Sequence, residues 1–506
     1  MIHYNKYIKW GFLMMILVVQ NACTKDFLNL NPEATTNLDD FYTNEDEVRQ
    51  AVNGAYNILM DLGRSSLWEV GEMRSDNTSF QYNTIERGRQ PREFIDQFLT
   101  DASAEPIAAF WEQSFIGIAR CNDVINYIDQ VEMPEENSLH YQAEVRFLRA
   151  LHYFNLVRQY GGVPIRLSPA ESPEDALSEG RATVDDVYQI IVDDLTTAVS
   201  YFASSGLIDN DKGRATEGAA RTLLAKVYLT LGRFEDAIPE LRSVMAMGYV
   251  LLANYRDNFI PEMKNGGESI FEIQYLGAQP ALASNFMYQF APYTSGSAVT
   301  GDPQTPLAGG AGWNIPTQDM IDAYEEGDLR KDISLAEGYT NSDGDFVAIP
   351  HIIKYNNGFV ERGQTDDNFP YLRYADVLLM LAEVLNEQGF AANGEAFDLL
   401  NNVRERAGLP AKTTGNARPE LHIGDQQSFR EAILRERRVE LAFENHRWYD
   451  LVRSGKAVEV MNEHGQREKQ QKNTIPGNAY QVTQNRLLLQ IPQIEVTLDG
   501  LEQNPQ

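Results

Sequence analysis

The sequence has little cysteine and comparatively little positive charge. Only two of its 506 residues are cysteines, and 43 Lys and Arg face 73 Asp and Glu, which gives a formal net charge of −30. Such a surplus of negative charge repels phosphate backbones, so it argues against a nucleic-acid partner. Cys121 lies in the helix-like apolar pattern FIGIARCNDVINYI. We therefore predict that it is a buried packing residue rather than a nucleophile.

Long apolar runs are also missing beyond the N-terminus. No later stretch approaches the roughly twenty apolar residues that a transmembrane helix needs. At the N-terminus, Lys6 and Lys9 precede the apolar segment Trp10 to Val19, whose length is typical of a signal-peptide core. The whole sequence is 43% hydrophobic, enough to form the core of one large domain or of two to three ordinary ones.

Ala22 and Cys23 follow the apolar segment and resemble the end of a bacterial lipoprotein signal. On this interpretation residues 1–22 are a signal peptide, and Cys23 is acylated as the first residue of the mature chain. Two or more acyl chains anchor a protein firmly, because each buried methylene contributes about 0.8 kcal/mol. The alternative is an ordinary secretion signal followed by an incidental cysteine.

Helical periodicity dominates most of the remaining chain. In ATEGAARTLLAKVYLTLGRFEDAIPELRSVMAMG the apolar residues fall at i, i+3, i+4, i+7, i+8 and i+11, namely Ala220, Leu223, Leu224, Val227, Tyr228 and Leu231. This spacing predicts one buried helix face, and Gly232 predicts the end of the helix. A second helix follows, with apolar Phe234, Ile238, Leu241 and Met245.

The same segment has the residue spacing of a tetratricopeptide repeat. The matching positions are Ala225, Tyr228, Gly232, Phe234 and Ala237, and LLMLAEVLNEQG repeats part of the pattern with Ala382, Leu385 and Gly389. We predict three or four degenerate helical pairs that together bury a continuous core. Between about residues 250 and 365, Gly, Pro and Ser interrupt short apolar runs, which indicates long loops that join short strands.

Eight segments, in order, resemble the successive blocks of the SusD/RagB outer-membrane lipoproteins. They are CTKDFLNLNPEATTNLDDFYTNEDEVRQAVNGAYNIL, AEVRFLRALHYFNLVRQYGGVPI, GRATEGAARTLLAKVYLTLGRFEDA, GWNIPTQDMIDAYEEGDLRKD, PYLRYADVLLMLAEVLNEQG, LLNNVRERAGLP, RERRVELAFENHRWYDLVRSGKA and LLLQIPQIEVTLDGLEQNPQ. The resemblance implies a mostly α, SusD-like fold over residues 23–506. Its parts would be helical to about 250, rich in loops from about 250 to 365, and helical again from about 366 to 506.

The resemblance also implies a function and a location. SusD-like proteins are surface-exposed lipoproteins of the outer membrane that bind glycans and deliver oligosaccharides to a SusC-like TonB-dependent transporter. RagB-like members serve peptide import instead, and this is the alternative function. A surface glycoside hydrolase is a further alternative, although no residue set in the sequence is placed for catalysis. The resemblance implies no cofactor, and no metal-ligand motif such as H-E-x-x-H occurs in the sequence.

The segment RERRVELAFENHRWYDLVRSGK is dense in charge and could be mistaken for an active site. Helical spacing pairs Glu431 with Arg435, Glu444 with Arg447 and Asp450 with Arg453. Leu434, Leu441, Trp448 and Leu451 can then face a core. We predict a structural ion-pair network, and the resemblance agrees because this segment is a framework helix of the family.

Two loop-like regions carry the side chains that a sugar site requires. Flat aromatic faces pack on the C–H surface of a pyranose, and planar polar groups bind its hydroxyl pairs. The candidates are Trp68, Asp76, Asn77 and Tyr82 in the first region, and Tyr275, Tyr288, Tyr293, Trp313 and Asn314 in the second. The family differs most in its ligand-contacting loops, so no ligand residue is carried over from it by motif.

Overall fold

The computed structural model describes residues 41–84, 86–169, 180–207, 212–305 and 310–506. Its elements in chain order are α1 Glu45–Arg64, α2 Ser66–Val70, β1 Thr78–Ser79, α3 Gln90–Asp96, α4 Glu105–Tyr127, α5 Glu135–Tyr160, α6 Val184–Ser205, α7 Glu217–Thr230, α8 Phe234–Met245, β2 Ser269–Ile273, α9 Phe286–Phe290, α10 Ser297–Thr300, β3 Ile315–Pro316, α11 Gln318–Ile321, α12 Lys331–Ser334, β4 Leu335–Ala336, β5 Tyr339–Thr340, β6 Phe346–Val347, β7 His351–Ile352, β8 Phe369–Arg373, α13 Tyr374–Gln388, α14 Glu395–Arg406, α15 Gln426–Glu440, α16 Arg447–Arg453, α17 Ala457–Gln471 and α18 Gln493–Leu498. The predicted signal peptide and Cys23 lie outside the described residues.

The long helices form one continuous array in which each helix packs on the next. The order in space is α1, α4, α5, α6, α7, α8, α13 and α14, with α15 also on α13. Helices α7 and α8 carry the predicted repeat spacing, and the small residues Ala225 and Ala237 are fully buried in them. The mostly helical fold class is confirmed.

Local sequence signals define the helix ends. The side chains of Asn44, Thr183 and Thr216 each accept a hydrogen bond from a backbone N–H in the first turn of α1, α6 and α7, respectively. Gly206 ends α6 in the left-handed conformation, at φ +63°. Helix α5 is buried on nearly all sides, which explains why its own apolar residues lie all around the helix instead of forming one stripe.

The loop-rich region is inserted between two helices that are neighbours in space. The chain leaves the array after α8, passes through short helices and strands, and returns through β8 to α13, which packs on α8. Its strands form four two-stranded antiparallel pairs: β1 with β3, β2 with β8, β4 with β7, and β5 with β6. Strand β1 comes from the N-terminal part of the chain, so it ties that part to the inserted region.

One hydrophobic core runs through the helical array and continues under the loops. It includes Val48 in α1, Leu400 in α14, and Phe286 and Phe290 in α9. A second, smaller core forms around Phe98, Trp448 and Tyr480. Cys121 is fully buried, as the sequence predicts, and burial raises the pKa of its thiol far above the ordinary range. Within the described ranges, we find no helix with the length and apolar character needed to cross a membrane.

Candidate functional site

The two loop regions that the sequence singles out lie side by side. Strands β1 and β3 pair so that Thr78 lies opposite Pro316. Just beyond β1, the Gln81 backbone N–H donates to the carbonyl oxygen of Gly312 at 2.9 Å. The Gln81 side-chain oxygen Oε1 also accepts a hydrogen bond from the backbone N–H of Tyr293 at 2.8 Å. Gln81 is therefore a link between the two regions, in addition to the pair of β1 and β3.

The second region is folded back on itself, and this fold positions its tyrosines. The backbone N–H groups of Ala311 and Gly312 donate to the carbonyl oxygens of Tyr288 and Ala291 at 3.0 and 2.9 Å. The segment that begins with α9 thus lies along residues 311–313, which in turn lie along Gln81. Tyr288 and Tyr293 are held next to the segment that carries Tyr82.

Three of the nine candidate residues, Tyr82, Tyr288 and Tyr293, are partly exposed, and we call them the aromatic loop surface. The guanidinium carbon of Arg87 lies 4.4 Å from the ring centroid of Tyr82, and its Nη2 is paired with Glu93 at 2.7 Å. The Tyr288 hydroxyl donates to Asp302 Oδ2 at 3.1 Å. Burial and the carboxylate of Asp302 raise the pKa of Tyr288 and outweigh the hydrogen bond from the Gly363 backbone, so this hydroxyl stays protonated.

The other three aromatic candidates are core residues, which corrects the sequence interpretation. Trp68 is 1% exposed, its ring centroid lies 5.0 Å from that of Phe290, and its indole N–H donates to the Arg64 carbonyl. Trp313 packs against Trp68 and lies under the guanidinium of Arg92. Tyr275 is buried and donates its hydroxyl hydrogen to the carbonyl of Met60 at 2.8 Å. These rings fasten the loops to the helices, so in this conformation they present no face to a ligand.

The three polar candidates are also buried, and two of them, Asp76 and Asn77, bind framework residues. Asp76 accepts two hydrogen bonds from the Arg447 guanidinium, at 2.8 and 3.0 Å, and pairs with Arg438 at 3.0 Å. Burial alone would raise the pKa of Asp76, but the two guanidinium groups outweigh it and hold that pKa well below its ordinary value. Asn77 bridges Glu72 and Arg438 at 3.0 and 2.8 Å. Asn314 is 1% exposed and has φ +54°, a left-handed conformation that asparagine tolerates.

Sequence reasoning missed two exposed aromatic rings in the loop-rich region. Phe346 is 67% exposed on the hairpin of β5 and β6, and Phe359 is 37% exposed. The hairpin joins the aromatic loop surface through the Tyr339 and Thr294 hydroxyl groups, 2.9 Å apart. The signal was present in NSDGDF, because an aromatic residue that directly follows a tight turn has few neighbours to cover it. In that turn the Asn341 side chain accepts hydrogen bonds from the backbone N–H groups of Asp343 and Asp345.

The charge-dense segment is a structural network, as predicted, but with partly different partners. Asp450 pairs with Arg453 at 2.8 Å, which confirms that pair. Glu444 binds Lys354 and Arg373, and Arg447 binds Asp76, so the predicted pair between Glu444 and Arg447 is wrong. Helical spacing could not reveal these partners, because they come from other parts of the chain.

For the third predicted pair, the structure gives both residues other contacts. Glu431 accepts a hydrogen bond from Gln427, and Arg435 donates to the carbonyl of Ala323 at 3.4 Å. Leu441, Trp448 and Leu451 are buried as predicted, whereas Leu434 is only partly buried.

Ten of the charged side chains form what we call the buried charge network. Its five acids and five bases are at most 3% exposed and join the loop-rich region to α14 and α15: Glu268, Asp328, Arg330, Lys354, Arg373, Arg404, Arg406, Glu436, Glu440 and Glu444. Burial lowers the pKa of Lys354 to about 8. Burial would raise the pKa of Glu440, but Arg406, Arg373 and Arg330 outweigh it and hold that pKa well below its ordinary value.

No group of three or more His, Cys, Asp or Glu side chains is arranged to hold a metal ion in the part of the chain that the structure describes. The buried carboxylates of the network are paired with Arg or Lys instead. The aromatic loop surface itself consists of aromatic rings with hydroxyl groups.

Comparison with known proteins places these features in a family. The family model described as "SusD family" matches residues 326–506, and the model described as "Starch-binding associating with outer membrane" matches residues 26–229. A SusD-like protein of Formosa agariphila is 29% identical over 489 residues, which cover 89% of this chain and 90% of that protein. The starch-binding protein SusD of Bacteroides thetaiotaomicron is 23% identical over 460 residues, covering 76% of this chain and 78% of that protein.

Solved structures agree over almost the whole chain. A structure described as a laminarin-binding SusD-like protein has a TM-score of 0.73 at 26% identity and covers 92% of this chain and all of that one. A SusD homologue from Bacteroides thetaiotaomicron has a TM-score of 0.79 at 23% identity, over 94% of this chain and all of that one. The fold thus defines a helical-repeat scaffold with an inserted region of loops. The chain belongs to the SusD/RagB family.

Proposed function

We propose that this protein is a cell-surface glycan-binding lipoprotein that captures oligosaccharides on its aromatic loop surface. The observation that carries the proposal is the placement of Tyr82, Tyr288 and Tyr293 in neighbouring, partly exposed positions on loops linked through Gln81. The relative described as laminarin-binding supports a glycan as the class of ligand. Aromatic rings suit the C–H faces of sugars, and nearby hydroxyl groups suit their O–H groups.

Binding on such a surface should be weak and should grow with ligand length. A shallow site recovers little apolar burial per sugar, and many of its hydrogen bonds replace bonds to water. Affinities of roughly micromolar to millimolar are the consequence. A ligand of several units contacts more than one ring, so oligosaccharides should bind better than monosaccharides.

The chemistry of the described residues argues against turnover. The carboxylates of the buried charge network are engaged by Arg or Lys and lie within the framework rather than on the aromatic loop surface. The proposed role is therefore binding and delivery, and a surface glycoside hydrolase is the less favoured alternative. A RagB-like peptide carrier is the main alternative, but a peptide site more often presents charges and a free strand edge.

Calorimetry with defined ligands tests the proposed role. Laminarin oligosaccharides, a panel of plant, host and microbial oligosaccharides, and short peptides should be titrated into the signal-free protein. We expect binding to at least one oligosaccharide series, with affinity that rises with chain length. Binding of peptides without binding of any glycan would favour the RagB-like alternative.

Two further parts of the proposal are the anchor and the partner. We infer that Cys23 carries acyl chains that hold the protein on the outer membrane. A SusC-like TonB-dependent transporter would receive the glycan, because a weakly held ligand gains from being kept next to its channel at high effective concentration.

The anchor is tested with Cys23→Ala, which should leave the protein folded but release it from washed outer membranes. Quantitative sedimentation of this variant with membranes, in cells that lack the transporter, would contradict the anchor. The partner is tested by mild-detergent purification of the tagged lipoprotein, which should recover a SusC-like transporter in near-equal amount. Recovery of the lipoprotein alone, under conditions that keep related pairs together, would contradict the partner.

A further inference from the structure

Two buried carboxyl groups approach one hydroxyl group next to the aromatic loop surface. Asp96 ends α3 and Glu468 lies in α17, and they are 1% and 3% exposed. The Ser79 hydroxyl oxygen in β1 lies 3.1 Å from Asp96 Oδ2 and 3.1 Å from Glu468 Oε2. Lys472 Nζ donates to the same hydroxyl oxygen at 3.0 Å and also contacts Glu468.

Hydrogen counting shows what this arrangement requires. A serine hydroxyl has one hydrogen and two lone pairs, so it donates to only one of the two carboxylates. If both carboxyls are ionised, the carboxylate oxygen that receives no hydrogen from Ser79 faces a lone pair of the Ser79 oxygen, and this contact is repulsive. If one carboxyl holds a proton, that carboxyl donates to Ser79, Lys472 fills the second lone pair, and Ser79 donates to the remaining carboxylate. One shared proton therefore satisfies every contact.

The groups around Asp96 act on its proton in both directions, and burial has the largest effect. The Tyr480 hydroxyl donates to Asp96 Oδ1 at 2.9 Å, and α17 contributes His464, whose Nδ1 lies 2.9 Å from Asp319. On α3 itself, Arg92 and Glu93 are paired with Glu69 and Arg87, respectively. Burial, followed by the charge of Glu468, raises the pKa of Asp96 to about 6, although Lys472, His464 and the hydrogen bond from Tyr480 act to lower it.

The cluster is joined directly to the link between the two loop regions. Asp96 Oδ2 also accepts the backbone N–H of Phe80 at 3.2 Å. The next residue is Gln81, which holds both Gly312 and Tyr293. The residue that Asp96 holds, Phe80, is therefore directly adjacent in the chain to the residue that positions Tyr293.

We propose that Asp96, Ser79 and Glu468 share one proton and act as a pH-sensitive fastening for the aromatic loop surface. With the proton in place, both carboxyls hold β1 against α3 and α17. When the pH rises and the proton leaves, the two negative charges repel across Ser79, and the Phe80–Gln81 backbone is held less firmly. The consequence for glycan affinity rests on the proposed function, whereas the fastening itself does not.

Amide hydrogen exchange without any ligand tests the fastening. Exchange of peptides that contain Phe80–Tyr82 and Ala291–Tyr293 should be followed at pH 5.0 and 7.5 and corrected for intrinsic rates. We expect protection to fall at the higher pH by up to about tenfold, the limit that a pKa of about 6 for Asp96 sets between these two pH values. Asp96→Asn and Glu468→Gln each remove one of the two charges, so both should lose this pH dependence.

Asp123→Asn is the matched control, because burial also raises the pKa of Asp123 to about 6, but this residue lies on α4 outside the cluster. The control should keep the pH dependence of the loop peptides. Equal protection at the two pH values in the unaltered protein would overturn the proposal. So would an unchanged pH dependence in whichever neutralising variant folds. Because no ligand is present, these outcomes do not depend on whether the protein binds glycans.

Discussion

The buried charge network and the aromatic loop surface both connect the inserted region to other parts of the chain, but they use opposite chemistry. The network consists of charged side chains that are almost completely excluded from water and matched base to acid, as in the contacts of Arg373 with Glu268, Glu440 and Glu444. The surface consists of neutral tyrosines that keep part of their rings in water. This contrast indicates that ion pairs hold the loops on the scaffold, while the neutral tyrosine rings stay accessible to a ligand.

The largest expected effect comes from breaking the network. Arg373→Ala should destabilise the protein by about 3–5 kcal/mol, because it leaves Glu268, Glu440 and Glu444 as buried negative charges without this partner. The measurement is the free energy of unfolding in urea. Arg242→Ala is the control, since Arg242 pairs with Glu395 on the surface, where an ion pair contributes less than about 1 kcal/mol. Equal losses in the two variants would contradict the structural role of the network.

A second test uses a buried carboxyl that has no cation in direct contact. Asp367 is hydrogen bonded by the neutral side chains of Asn357 and Thr365, and burial raises its pKa to about 7. A raised folded-state pKa stabilises the protonated form, so this contribution is complete below the unfolded-state pKa and is lost as the pH rises through about 7. From pH 5.5 to 8.5, Asp367 should cost the unaltered protein on the order of 1–2 kcal/mol of unfolding free energy, and Asp367→Asn should not show this loss.

The comparison for this test is the pH dependence of unfolding in the unaltered protein and in Asp332→Asn, which changes an exposed aspartate. Both should become less stable toward pH 8.5 by more than Asp367→Asn does. Three parallel pH profiles would show that Asp367 contributes nothing to the pH dependence.

Much of the fold could be predicted from the sequence, because helical periodicity is a local property. Residue spacing predicts the buried face of α7 and the small residues Ala225 and Ala237, and the structure buries these residues except Tyr228 and Leu231, which are partly buried. The site was harder to predict, because burial of a loop residue depends on which distant segment covers it. Sequence analysis places Trp68 and Tyr82 in the same loop-like region, yet Phe290 and Trp313 pack against Trp68, whereas Tyr82 stays partly exposed.

The next test concerns the tyrosines of the aromatic loop surface rather than the buried charge network. Replacing Tyr82, Tyr288 and Tyr293 together with Ala should weaken oligosaccharide binding more than about tenfold, since each ring supplies stacking area. The melting temperature should change by only a few degrees, because all three rings are partly exposed. Calorimetry and thermal unfolding of the same preparation measure both effects.

Trp68→Ala is the matched control for the tyrosine variant. Trp68 is a core ring, so its removal should destabilise the protein by about 3–5 kcal/mol. A triple tyrosine variant that unfolds like Trp68→Ala would assign those rings to the core. A folded triple variant that binds normally would place the ligand elsewhere.

The smallest expected effect is the response of glycan binding to salt. The aromatic loop surface is neutral, and the nearby Arg87 is already paired with Glu93. A neutral oligosaccharide offers no charge that the net charge of −30 could repel or attract, so affinity should change less than about twofold between 50 and 500 mM NaCl. Sulfated oligosaccharides of matched length are the informative comparison, because repulsion should weaken their binding at low salt and screening should restore it. Strong binding of sulfated ligands that salt abolishes would instead mean that arginines contact the ligand, and charge would then serve recognition as well as the framework.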